Sequence, residues 1–374
     1  MAAEIISIDA DTPDTAAIGR AAKALADGAL VAFPTETVYG LAANAGEEKS
    51  VQRLRDVKGR QETQPFTVHI GRPADVDAFV PTVSSLGRRF IRKAWPGPLT
   101  LVFKVADSSK AAIYSKLSDA GRAAIYSRGS VGVRYPDLRA ADEFLTAAGV
   151  PVIASSANRS GSSPPVSAAD VSAALGNDVD YILDAGATRY RKGSTIVELE
   201  NEHYKVLREG VWDERTVRRL SSLNILFVCT GNTCRSPIAE AVCKKILAQK
   251  LGCGVAELES RGIHVMSAGT TAYGGGRASE ESVVVSRKRG MDLSSHVSRP
   301  LTPELLRSAD HVFTMTRQHL ETLRYLAPGD GEKASTLLSD GDIPDPVGGP
   351  MEDYERVASQ IEAALASRME EVKV

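Results

Sequence analysis

The sequence predicts an α/β protein made of two unrelated halves, and three observations carry that expectation. Short β-like runs alternate with alanine-rich helical stretches over the first 210 residues, a polar and basic stretch follows, and a fresh apolar run then opens a second α/β pattern. At 374 residues the chain is longer than one hydrophobic core usually serves. The expected division is a first domain over 1–213, a linker over 214–222 and a second domain over 223–374. A linker of that length restricts the separation of the halves without fixing their orientation.

Taken in order, residues 30–33, 99–105, 150–153 and 194–199 are compact apolar runs that read as strands of the first half. In the second half, 224–228 is a strand ending in a glycine-containing turn, and Pro237 suits the first position of the helix that follows. Further strands are expected at 264–267 and 311–315, and an amphipathic helix over about 353–371. No internal repeat relates the halves, and the one small low-complexity loop is the Ser/Pro/Gly stretch 160–165.

Composition narrows the class. Hydrophobic content of 43%, charged content of 25% and no long apolar run point to a soluble protein with no membrane partner. Residues 1–10 lack the basic start and apolar core of a secretory signal, and all four cysteines fall between Cys229 and Cys253. Clustering of that kind argues for thiol chemistry in a reducing cytoplasm rather than a disulfide framework. A net charge of −2 exerts no global pull on nucleic acid, and the local cluster Arg88, Arg89, Arg92 and Lys93 is expected to be a solvated helix face.

Chemistry concentrates first in ILFVCTGNTCRS, residues 225–236, which puts Cys229 and Arg235 in a loop between a strand and a helix. Loop N–H groups and the helix dipole converge there on any phosphoryl group and favour a thiolate at Cys229. Gly231 permits the turn, Arg235 grips two phosphate oxygens, Ser236 hydrogen-bonds the thiolate and Asn232 braces the loop from behind, with Thr230, Thr233 and Cys234 completing it. A leaving group must be protonated as it departs, and DIPDPVGG supplies an acid in Asp345, ahead of Pro346; Asp342 competes but lacks a following proline. CTGNTCRS, the SAG at 267–269, HVSRPL at 296–301 and the late Asp-Pro resemble the low-molecular-weight protein phosphatase family over about 223–371. That resemblance implies a central parallel sheet flanked by helices, a cysteinyl-phosphate formed on Cys229 and acid-base work by Asp345, with no metal or cofactor. It also implies a reversible disulfide between Cys229 and Cys234. Thr233 is similar to the arginine-phosphatase branch, whereas Val347 stands where an aromatic residue often follows the Asp-Pro. Phosphorylated proteins carrying phosphoarginine are the expected substrate, with phosphotyrosine the alternative.

The first half carries FPTETVYGLAA at 33–43, where Thr35, Glu36 and Thr37 stand close to Tyr39 and either line a pocket or cap a following helix. Lys58 and Arg60, separated by Gly59, are expected to project from one side of an extended stretch. SSANRSG at 155–161 and GSTIVEL at 193–199 combine hydroxyls with glycine, as phosphate contacts do. PTETVYGL, KGR, WPGPLTL, VGVR, SSAN, GST and LREG in this order resemble the threonylcarbamoyl-AMP synthase (YrdC-like) family, a twisted α/β domain, across about 10–212. The resemblance implies that L-threonine, bicarbonate and ATP, with Mg2+ on the ATP, give threonylcarbamoyl-adenylate and pyrophosphate, serving tRNA threonylcarbamoyladenosine modification and, indirectly, its machinery. By motif position it implies that Thr35 and His69 contact threonine, Lys58 and Arg60 neutralise carboxylate and phosphate charge, Ser156 and Asn158 hold the adenylate, and Ser194 and Arg208 close on phosphates. Gln61 and Ser155 replace the prolines usual after the K-x-R arginine and before the SAN, leaving a nucleotide- or RNA-binding module as the alternative. The oligomeric state is not legible in the sequence.

Overall fold

A computed structural model describes residues 2–59, 64–329 and 331–372. The chain divides into two compact units, Met1–Leu220 and Ser221–Val374.

The first unit is built on a mixed sheet whose strands are β1 (Glu4–Ser7), β2 (Val31–Phe33), β3 (Gly40–Asn44), β4 (Thr67–His69), β5 (Leu99–Lys104), β6 (Ser130–Arg134), β7 (Val152–Ser156), β8 (Tyr181–Asp184), β9 (Thr195–Glu200) and β10 (His203–Arg208). Their order across the sheet is β1-β8-β2-β3-β7-β4-β6-β5-β9-β10. Central strands read as unbroken apolar runs because both faces are covered: every residue of β2 and β3 is buried. Val31 and Phe33 face a core shared with the helices Thr15–Ala26 and Arg139–Ala148, while Leu30 and Ala32 face the opposite core. Alanines at 17, 21, 22, 140 and 141 line the contact between those helices, and their small side chains let the helices approach closely.

The second unit has four parallel strands, β11 (Leu223–Cys229), β12 (Ile263–Gly269), β13 (His311–Thr314) and β14 (Ala334–Thr336), in the order β12-β11-β13-β14. Strand β11 alternates Leu223, Ile225, Phe227 and Cys229 into one core with Leu226 and Val228 into the other. The first core is closed by the helices Arg235–Leu251 and Met351–Glu371, the second by Pro303–Ser308 and Arg317–Leu326. Neighbours leave β11 on both sides, so a crevice opens beyond its carboxyl end, where Cys229 stands.

Several expectations need correction. The segment read as a linker is mostly the helix Glu214–Ser221, and Val217 on it is buried in the first unit's core. The helix after the cysteine loop begins at Arg235, with Pro237 as its third residue, still in the first turn where a missing N–H costs nothing. The polar turn after Phe33 leads into β3 rather than a helix. Strand β7 starts after Pro151, whose ring nitrogen has no hydrogen for a ladder bond. The basic cluster is not wholly solvated: Arg89 is buried on the helix Ser85–Ala94, and Arg88 pairs with Asp77 at 2.5 Å. Among the described residues no helix is long and apolar enough to cross a membrane.

Candidate active sites

In the second unit, the loop from Cys229 to Ser236 is organised around a buried Asn232 in the left-handed region at φ 56°. A short polar side chain tolerates that conformation. The left-handed position is therefore Asn232, not Gly231 as the sequence suggested; a Cβ on Gly231 would only reach Thr233 Oγ1 at 3.5 Å. Asn232 Nδ2 donates to Ser236 Oγ at 2.9 Å and to Ser267 Oγ at 2.8 Å, and Ser267 passes its own proton to Glu240 Oε2 at 2.6 Å. The asparagine carbonyl meets His296 Nε2 at 2.8 Å, and its Oδ1 accepts Arg299 N–H at 2.9 Å. Ser236 Oγ, which accepts from Asn232, lies 3.0 Å from Cys229 Sγ and 3.5 Å from Ala268 O, and Asn232 N–H reaches the same sulfur at 3.3 Å. A hydroxyl and a backbone N–H thus stand within reach of one sulfur.

Arg235 is 3% exposed and held in place by Nη1 on Ile343 O at 3.1 Å and Nη2 on Thr230 Oγ1 at 3.2 Å. Its buried Nε has no protein partner. Asp345 Oδ2 lies 2.5 Å from Arg235 Nη2, with the aspartate side chain 40% exposed at the edge of the loop. Asp342 is occupied differently: its Oδ1 accepts Arg317 N–H at 2.8 Å at the start of a helix. Cys234 is a buried free thiol, 3.5 Å from Ser279 Oγ and 3.9 Å from Tyr354 Oη, and Thr233 Oγ1 lies 3.6 Å from its sulfur. Val347 is exposed. Sequence reasoning missed His319, whose Nε2 meets Thr230 Oγ1 at 2.9 Å and whose Nδ1 meets Thr316 Oγ1 at 2.8 Å. Burial, then the charge of Arg235, pulls its pKa down to about 4.

In the first unit, strand register gathers the polar residues along one row. His69 of β4 lies opposite Arg134 of β6, Arg134 opposite Thr100 of β5, and Gly40 of β3 opposite Ser156 of β7. A cavity of about 570 Å³ is lined by Thr35, His69, Arg134, Ser156, Ser194 and Arg208 among others. Five of the expected residues thus share one wall. Thr35 Oγ1 donates to Val38 O at 2.6 Å and accepts Thr37 N–H at 3.2 Å, which fixes the turn between β2 and β3. Burial, then the charge of Arg134, lowers His69 to about 3, so its ring is neutral at ordinary pH. Arg208 Nη2 donates to Ser194 O at 2.8 Å, and Ser194 Oγ lies 2.9 Å from Thr100 Oγ1. Burial, then Arg134, pushes the Arg208 guanidinium below its usual range.

Lys58 does not project from an extended stretch. It ends the helix Glu48–Lys58, which Gly59 closes at φ 60°, and is buried with Nζ 2.5 Å from Ser156 O and also on Asn158 O. Asn158 Nδ2 in turn donates to Arg159 O at 3.0 Å and Ser162 O at 2.6 Å. Both residues shape the loop that presents Ser156. Arg60 and Gln61 lie outside the described residues. Arg134 was visible only as the end of VGVR: its Nη2 binds Glu36 Oε2 at 3.0 Å, Thr37 Oγ1 at 2.6 Å and Thr35 Oγ1 at 3.4 Å. Among the described residues no group of three or more His, Cys, Asp or Glu side chains is placed to hold a metal ion.

Comparison with known proteins follows the same division. A family model for the Sua5, YciO and YrdC proteins, described as "Telomere recombination", matches residues 23–210, and one described as "Low molecular weight phosphotyrosine protein phosphatase" matches 224–374. The putative threonylcarbamoyl-AMP synthase of Mycobacterium tuberculosis H37Rv is 36% identical over 187 residues, covering 50% of this chain and 81% of that protein. The threonylcarbamoyl-AMP synthase of Pyrococcus abyssi is 34% identical over 190 residues, 51% of this chain; the chain spans only 53% of that relative's length. The protein-arginine-phosphatase of Bacillus subtilis is 38% identical over 156 residues, covering 40% of this chain and 97% of that protein. A solved structure of a P. abyssi Sua5 variant superposes with a TM-score of 0.50 at 24% identity, over 71% of this chain and 92% of that one, a likeness of fold.

Proposed function

We propose that this chain, which belongs to the Sua5/YciO/YrdC family through its first half and to the low-molecular-weight phosphatase family through its second, is a two-headed enzyme. Its second unit is a cysteine-dependent phosphatase acting on protein phosphoarginine, and its first makes threonylcarbamoyl-adenylate. The carrying observation is the convergence of the Ser236 hydroxyl and Asn232 N–H on Cys229 Sγ beside the Arg235 guanidinium.

In the phosphatase cycle, Cys229 attacks phosphorus as the P–N bond to the substrate guanidine breaks and the departing nitrogen takes a proton from Asp345. The carboxylate left behind then accepts a proton from water as that water attacks the cysteinyl-phosphate; the S–P bond breaks and phosphate leaves. Since Asp345 rests on Arg235, the arginine must exchange that carboxylate for phosphoryl oxygens as substrate binds. Similarity to a protein-arginine-phosphatase and the hydroxyl of Thr233 support phosphoarginine; exposed Val347 offers no aromatic wall for a phenyl ring.

In the first unit, threonine and bicarbonate condense with loss of water to a carbamate that attacks the α-phosphorus of ATP, expelling pyrophosphate. Orienting charged reactants is most of that task, and Arg134, Arg208 and the hydroxyls of Ser156 and Ser194 supply it. Thr35 and neutral His69 face threonine, whereas Lys58 and Asn158 act by holding the Ser156 loop. Mg2+ would accompany the nucleotide and supply charge neutralisation at its phosphates. The product feeds tRNA modification.

Paired turnover by wild type and Cys229→Ser on phosphoarginine and phosphotyrosine peptides tests the reading, with threonine- and bicarbonate-dependent pyrophosphate release followed in the same preparations. Preference for phosphoarginine, its loss in the variant and unchanged pyrophosphate release are expected. Preference for phosphotyrosine, or no pyrophosphate, would leave a tyrosine phosphatase or a phosphatase joined to a nucleotide- or RNA-binding module.

A further inference from the structure

We infer that Thr230 gives the phosphate-binding loop a side-chain proton donor and that His319, on a separate helix, is the positioning residue that aims it. The inference rests on the phosphatase reading of the second unit. It stands on one chain of hydrogen bonds and on a His319 tautomer that the chain admits.

Thr316 caps the helix Arg317–Leu326, its Oγ1 accepting the backbone N–H of His319 at 3.2 Å. The threonine hydroxyl keeps its proton and one further acceptor position; in the proposed arrangement the proton goes to His319 Nδ1, 2.8 Å away. A neutral imidazole that accepts at Nδ1 carries its hydrogen on Nε2. That hydrogen points to Thr230 Oγ1 at 2.9 Å, and Arg235 Nη2 donates to the same oxygen at 3.2 Å. Two incoming donors occupy both acceptor positions of the hydroxyl, so the proton of Thr230 can go to neither His319 nor Arg235. The side chain is exposed at the mouth of the loop, directly after the nucleophile. A non-bridging phosphoryl oxygen seated over Cys229 is the acceptor that position serves.

Charge at the ring fits this assignment. The groups facing His319 are Arg235, which opposes protonation, and Asp345 and Asp342, which favour it; burial and the arginine prevail and the ring is neutral. The chain thereby does two things at once. It holds Arg235 Nη2 at a fixed distance from the loop, and it converts the residue after the nucleophile from a bystander into a donor. Because phosphoryl oxygens are common to phosphoarginine and phosphate esters, the contribution is to phosphoryl binding and transfer, not to the choice between substrates.

The test uses the full-length protein with p-nitrophenyl phosphate and a phosphoarginine peptide, and inorganic phosphate as inhibitor. Thr230→Val, which keeps the shape and removes the O–H, is expected to lower kcat/KM about 10- to 100-fold on both substrates and to weaken phosphate inhibition. Thr230→Ser should restore most of the loss. His319→Leu should fall toward the valine variant, His319→Gln, which keeps an N–H near the Nε2 position, should fall less, and Thr230→Val/His319→Leu should be no worse than Thr230→Val alone. Nitrogen-15 NMR should find the His319 hydrogen on Nε2. Wild-type kcat/KM in Thr230→Val, or a hydrogen on Nδ1, overturns the inference. Full additivity of the two substitutions would show that His319 is merely structural and overturns its positioning role. Wild-type turnover that survives Cys229→Ser would instead overturn the phosphatase reading itself.

Discussion

The ion pair between Glu36 and Arg134 is buried and tied directly to the cavity wall. The two side chains are 0% and 7% exposed and meet at 3.0 Å, with Glu36 Oε1 and Arg134 Nε finding no other protein partner. Removing one member leaves an uncompensated charge in the interior, a loss of about 3–5 kcal/mol, whereas replacing both with apolar side chains of similar volume is often close to neutral. Arg134→Met also releases Thr35 and Thr37, adding about 1 kcal/mol for each bond lost. Both tryptophans, Trp95 and Trp212, lie in this unit, so fluorescence during urea unfolding reports it without interference from the other. With a slope of about 3 kcal/mol per molar, Glu36→Leu should lower the urea midpoint by about 1–2 M and Arg134→Met by about 2 M. The double variant should recover most of that. Simple addition of the two losses would refute the reasoning, since it would mean that the charges do not see each other.

Three further outcomes follow from the same geometry. Asp345→Asn should slow turnover of phosphoarginine peptides about 100- to 10,000-fold but affect p-nitrophenyl phosphate, whose leaving group needs little protonation, much less; an equal loss on both would remove Asp345 as the acid. His69 is held neutral in the folded unit while an unfolded histidine protonates near pH 6.5, so the stability this burial secures is present above that value and is lost as pH falls toward about 3. The tryptophan-detected unfolding free energy should therefore drop by up to about 1.4 kcal/mol per pH unit below pH 6.5, and His69→Gln should flatten that slope. Gly210→Ala would set a Cβ against the carbonyls of Gly193 and Ser194, backbone atoms that cannot swing aside; loss of pyrophosphate release with phosphatase turnover intact is expected, and normal release would count against the tight packing there.

What the sequence could show depended on whether a site is local. Cys229, Asn232, Arg235 and Ser236 come from one continuous loop, so their mutual geometry is nearly dictated by the strand before it and the helix after it, and the chemistry was readable from residue order. His319 and Ser267 reach the same loop from other elements, through pairings of β11 with its neighbours that no local pattern announces. Even inside the loop the pattern misled in one respect: glycine is the usual choice for a left-handed turn, yet here Asn232 takes that conformation because its side chain is satisfied on three sides.

The first unit shows the opposite case. Its cavity residues come in short runs widely separated in sequence, and they meet because a mixed sheet brings the ends of β4, β6 and β7 and the turn after β2 together. Motif order was therefore informative about kinship, and periodicity alone was not informative about the site. Lys58 illustrates the limit: as a cation beside Gly59 and Arg60 it suggested an extended, ligand-facing pair, but the helical register of Glu48–Lys58 turns it inward onto the carbonyls of Ser156 and Asn158. A buried lysine satisfied by carbonyl oxygens organises a loop first, and any charge it lends to a ligand is transmitted through that loop. Arg134 is the converse, an arginine at a strand end whose string carried no chemistry, yet whose register opposite His69 and Thr100 makes it the cation that both lowers His69 and holds the Thr35 turn. The pair Glu36–Arg134 is consequently the element on which the Thr35 turn and the neighbouring His69 depend, and its removal should lower pyrophosphate release before it disturbs the fold of the second unit.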